Sequence, residues 1–99
     1  MNATLGQSLT WNPIPGAHFD VRVVNFNNAA IVYHDALDVG SNSSILLSTL
    51  LAVVDLTTAT HFNVFVRSKL PGGALPSSWS SALDLQIVGF GVPTGLSVS

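Results

Sequence analysis

The run DLTTATHFNVFVRS, residues 55–68, constrains the fold of this chain more than any other stretch. From Phe62 it alternates strictly, with Phe62, Val64 and Val66 on one face and Asn63, Phe65 and Arg67 on the other. A period of two is that of an extended strand with one face on a core and the other toward water or a neighbour. A leucine and a short polar turn precede it, and the rest of the chain is punctuated in the same manner.

Residues 8–11 read as a strand placing Leu9 and Trp11 inward, stopped by Asn12-Pro13-Ile14-Pro15-Gly16. Residues 18–24 alternate, with Phe19, Val21 and Val23 on one face, and residues 25–28 are a turn cluster. A short strand is expected over 30–36, a polar loop over 38–44, and a further strand over 82–88. The apolar run ILLSTLLAVVDL, residues 45–56, fits either a buried helix or a strand by length. Ser48, Thr49, Val53 and Val54 are weak helix formers and no acidic first turn is present, so a strand is expected, with Leu51 and Val53 inward. Several short strands with turn signals between them predict an all-β sandwich.

Composition narrows the function classes. Of 99 residues only 8% are charged, against roughly 25% in an average soluble protein, and the net charge is −2. No basic surface is available for nucleic acid or anionic lipid. With every acid an Asp, the polar surface must be Ser, Thr and Asn. Such a surface self-repels weakly, which suits a subunit held in an assembly better than a concentrated free monomer. Without cysteine, disulfides, thiolate metal sites and thiol catalysis are all excluded. The segment MNATLGQSLTW has neither the positive nor the apolar region of a signal peptide, and the longest apolar run falls short of the ~20 residues of a membrane span.

These features together resemble a fibronectin type III domain. The resemblance rests on Leu9-Thr10-Trp11 with the Pro-rich turn after it, on Phe19-Asp20-Val21-Arg22-Val23, on Leu56 followed six positions later by Phe62, and on Trp79-Ser80 before the last strand. It covers about residues 7–88 and implies a β-sandwich in which Leu56 and Phe62 enter the core on either side of a corner. Two departures stand out. Phe62 stands where the family has Tyr, so the phenolic hydrogen bond of the tyrosine corner is missing. The family's first strand has no counterpart before Leu9, while a similar segment, residues 93–98, lies after the last strand. The expected organisation is therefore a sandwich over 1–88 and an extension over 89–99, whose Leu96 and Val98 share one face. That extension is expected to supply a β-strand, folding back on its own domain or inserting into a neighbour.

No reaction chemistry is expected. Ser, His and Asp are all present, but no strand-turn-helix serine motif is, and His34 and Asp35 point to opposite faces of a strand. His18, His34 and His61 are far apart in sequence, no Glu exists, and Asp38-Val39-Gly40-Ser41-Asn42 lacks a calcium-loop register. Neither cofactor nor metal is expected. Trp79, with Leu70, Pro71 and Leu75 in one long loop, has two readings: it packs over the end of the sandwich, or it contacts a partner or a sugar. Leu70, Pro71, Leu75, Trp79, Leu96 and Val98 are the expected partner-binding residues. The same fold recurs in accessory proteins of tailed-bacteriophage virions, which need no export signal. The expected role is accordingly a non-enzymatic virion component (decoration, neck or tail), binding other virion subunits or copies of itself, with host-surface glycans as a further expected partner. The alternative is a carbohydrate- or cell-surface-binding adhesion module of a larger secreted protein.

Overall fold

The computed structural model describes residues 1–89 and 94–98, and its fold is all-β with one short helical turn. In chain order the elements are β1 (Asn2–Ala3), β2 (Ser8–Thr10), β3 (His18–Asn25), β4 (Val32–Gly40), β5 (Ser44–Leu46), α1 (Leu47–Leu50), β6 (His61–Lys69) and β7 (Leu83–Ile87). One sheet has the order β1-β7-β6-β3-β4 and the other pairs β2 with β5. All neighbours are antiparallel except β1 on β7.

The longest pairing is β3 on β6, which runs from His18↔Lys69 to Asn25↔Phe62 without a shift. Its register sets Val21 opposite Val66 and Val23 opposite Val64, and these side chains face the second layer. There they meet Leu9 of β2, Leu47 and Leu50 of α1, and Leu51, with Phe62, Leu85 and Ile87 completing the core. Val21, Val23, Leu50 and Phe62 are wholly inaccessible to solvent. Burial of each such side chain contributes about 1.5–3 kcal/mol, so this seam supplies much of the stability of the fold. Trp11 is half-buried and meets Phe19 edge-on, with ring centroids 5.6 Å apart.

Residues 45–56 depart from the expected strand. β5 stops at Leu46 because its partner β2 has only three residues, so backbone groups beyond it have no strand to bond. They are satisfied locally and by the first loop: Leu51 N–H donates to the Leu47 carbonyl at 2.9 Å, and Leu47 and Ser48 N–H donate to Gln7 and Leu5 carbonyls. Leu47, Leu50 and Leu51 are spaced as one helical face and are all buried, whereas Val53 is exposed rather than inward. β4 occupies Val32–Gly40 instead of 30–36, and so takes up part of the expected polar loop.

The corner before β6 is held by Asp55, whose carboxylate accepts the Thr57 N–H at 3.0 Å and the Thr57 hydroxyl at 2.6 Å. Those two bonds hold its pKa below the ordinary carboxylate value. Leu56 is half-buried against the core and Phe62 fully buried, with Tyr33 packed edge-on to Phe62 at 5.5 Å.

The edge of β7 is also covered differently from expectation. Asn2 and Ala3 form β1 on β7, parallel and in register with Gln86 and Ile87, so the segment before Leu9 does supply an edge strand. Leu9 is covered, whereas Val88 is exposed. Residues 94–98 carry no strand within the chain, and Leu96 and Val98 are fully exposed. The rest of the expected extension strand, Pro93 and Ser99, lies outside the described residues.

Phe62→Ala should lower unfolding free energy by about 3–5 kcal/mol, as a large-to-small change at a fully buried position. Urea denaturation followed by circular dichroism reads this directly, and an unchanged midpoint would contradict the register of β6.

Candidate functional site

The outer face of the large sheet collects most of the charge in a nearly uncharged chain. Alternation along β3 and β6 turns Asp20, Arg22, Arg67 and Lys69 away from the core, and Asp35 and Asp38 join them from β4. Arg22, Arg67 and Lys69 are the chain's only Lys and Arg residues. Asp20 is buried, only 3% exposed, and accepts from Arg67 Nε at 2.9 Å and Lys69 Nζ at 2.7 Å. Lys69 also reaches Asp38 at 3.0 Å. The carboxylates of Asp20, first, and Asp38 raise the Lys69 pKa above its ordinary value. The Gly40 N–H, followed by Lys69, lowers that of Asp38.

Trp79 lies against this network. The segment around it runs beside the second half of β6, beyond the reach of β7: Ser80 N–H donates to the Val66 carbonyl and Ser77 N–H to that of Ser68. The Ser80 and Ser77 hydroxyls accept the Val66 and Ser68 N–H groups in return, each at 3.0 Å. This serine pairing turns Trp79 onto the sheet face, where the guanidinium carbons of Arg22 and Arg67 both lie 4.4 Å from its ring centroid. Arg22 is itself fixed by the Asp35 carbonyl at 3.0 Å and carboxylate at 3.1 Å. Trp79 thus packs on the outer face rather than over the end, and its ring is engaged by its own chain.

The other expected contact residues are not gathered around it. Leu70, Pro71 and Leu75 lie in the β6–β7 loop, facing the Pro-rich loop between β2 and β3. There Ile14, Leu70 and Leu75 are 52%, 49% and 81% exposed. Leu75 has φ +50°, a left-handed conformation that costs a branched side chain about 1–2 kcal/mol. Leu96 and Val98 lie apart, in the segment after β7. The candidate site is therefore two surfaces, a charged aromatic face and an apolar loop end.

Sequence reading missed a third cluster. His61 Nε2 donates to the Asp84 carboxylate across β6 and β7, and its ring stacks on Phe26 at 3.8 Å and 5° between planes. The two residues are 23 apart, and only the register of β6 on β7 brings them together. His34 Nε2–H donates to the Leu50 carbonyl at 2.8 Å, which ties β4 to α1. Among the described residues no three His, Cys, Asp or Glu side chains form a metal-sized cluster. No described helix is long and apolar enough to cross a membrane.

No protein-family model, curated protein or solved structure matches the chain.

Trp79→Ala removes two cation–π contacts of about 0.5–1 kcal/mol each at a partly exposed site. A loss of about 1–2 kcal/mol in chemical denaturation is the expected outcome. Unchanged stability would mean that the ring is free to serve a partner.

Proposed function

We propose that this protein is a non-enzymatic structural module with a fibronectin type III-like sandwich, serving as an accessory component of a tailed-bacteriophage virion. It binds other virion subunits or copies of itself. The observation that carries the interaction role is the apolar loop end, where Ile14, Leu70 and Leu75 are exposed together beside Pro13, Pro15 and Pro71. Contiguous apolar surface on a soluble domain marks a contact with another macromolecule. Leu75 is held in a strained conformation at that surface, a feature that concentrates at functional loops.

The strand order supports the sandwich assignment. β7-β6-β3-β4 with β2 and β5 in the facing layer is the arrangement of strands G, F, C and C′ opposite B and E of immunoglobulin-like sandwiches. The virion assignment draws on the neutral Ser, Thr and Asn surface and the resemblance over residues 7–88. The alternative is a carbohydrate- or cell-surface-binding adhesion module; a sugar-contacting Trp79 in such a module would share its ring with the arginines 4.4 Å from its centroid.

Immunogold electron microscopy of lysates from cells carrying the gene tests the assignment. Gold on tailed particles is the expected result, and label confined to the cell surface or the medium would refute it.

A further inference from the structure

Two unsatisfied features of the fold are complementary. The first is a cleft of about 200 Å³ where the two sheets part, lined by β1, β2, β7 and Leu47. Its wall includes the core side chains Leu9, Leu47 and Leu85, together with Leu83.

The cleft is bounded by an open strand edge from each layer. Gln7, Leu9 and Trp11 direct their backbone groups toward β5, as the bonds from Leu47 N–H to Gln7 and from Trp11 N–H to Ser43 show. Ser8 and Thr10 therefore direct theirs away, along an edge with no partner strand among the described residues. On β7, Gln86 and Val88 N–H donate to Met1 and Ala3, which identifies the even-numbered residues as facing β1. β1 begins opposite Gln86, so the backbone of Asp84 extends past its end. Open edges of this kind accept an added strand.

The second feature is the segment Thr94-Gly95-Leu96-Ser97-Val98. It has no regular structure, and Leu96 and Val98 are 98% and 102% exposed. Extended, the two aliphatic chains would fall on one face about 7 Å apart, with Ser97 on the other. That is the pattern of a strand with one side in an apolar cleft and the other in water.

We propose that the cleft takes residues 94–98 of a second copy of this chain as an added β-strand. This rests on the interaction reading above and names the partner and the surface. Two observations favour a second copy over the chain's own segment. Within one chain the segment lies fully exposed, clear of the cleft. β1 also occupies the β7 edge between Gly89 and the cleft, where Leu5 N–H donates to the Gly89 carbonyl at 2.7 Å. A strand exchanged head to tail requires no charged interface and can propagate into a ring or filament.

Sedimentation velocity of the full chain over a range of concentrations tests this, with two variants beside it. Leu96→Asp with Val98→Asp alters side chains that touch nothing in the monomer. Thr10→Pro removes the outward amide of β2 at an edge position where proline is tolerated. The wild-type chain should associate, and each variant should raise the association midpoint by at least roughly tenfold, equivalent to about 1.4 kcal/mol. The tail variant should keep the wild-type melting temperature. A monomeric wild type, or variants that associate as it does, would overturn the proposal. So would a tail variant that stays monomeric but melts lower, since the strand would then belong to its own cleft. Particle labelling reads the virion assignment independently, so failure of strand exchange and failure of that assignment are distinguishable.

Discussion

The register of β3 on β6 determines nearly everything else in this structure. Eight consecutive residues pair without a shift, and each pair commits one face to the core and the other to the sheet exterior. A slip of one residue would reverse the faces of one strand against the other. It would turn Val64 outward and Arg67 into the apolar layer if β6 moved, or Val21 and Val23 outward and Asp20 inward if β3 did. Core and charge network are therefore two consequences of one pairing, and each penalises departure from it. Asp20 illustrates the coupling: it is buried, but at a position where two cations from β6 reach it. Removal of both cations would leave a buried charge without a partner, whereas removal of one leaves the other in place.

Concentrating the charge on one face has a consequence for the remaining surface. All three cations lie on the outer face of the large sheet with four of the five carboxylates. Asp20, Asp35 and Asp38 pair with the cations, Asp84 pairs with His61, and Arg22 and Arg67 lie over Trp79. They are engaged with one another, so this face is self-contained. The loop end and the wall of the cleft present mainly apolar side chains, so contact through them incurs little desolvation of ions. A domain so arranged is suited to packing by its ends and edges through apolar side chains and backbone hydrogen bonds. That is the mode of contact proposed here for the loop end and for residues 94–98.

Strands whose alternation is uninterrupted were legible from sequence. Phe19, Val21 and Val23 of β3 and Phe62 and Val64 of β6 occupy the faces that period two assigns them, and β2 and β7 lie within a residue or two of expectation. β4 was less legible because register shifts against β3 break its periodicity, leaving Tyr33 and His34 both half-buried. Residues 45–56 misled because the strand ends where its partner ends, a tertiary fact with no local signal beyond the spacing of Leu47, Leu50 and Leu51. Of the site, alternation already placed Arg22 and Arg67 on the outer face, but not Trp79 against both. That contact depends on Ser77 and Ser80 pairing the loop to β6. The His61–Asp84 pair likewise needs a register that sequence does not carry.

The register of β3 on β6 is best tested by nuclear Overhauser contacts between backbone protons in solution. The expected pattern joins Asp20 to Arg67, Val21 to Val66 and Val23 to Val64. Contacts displaced by one residue, such as Val21 to Phe65 with Val23 to Asn63, would contradict it, and with it the placement of both the core and the charged face.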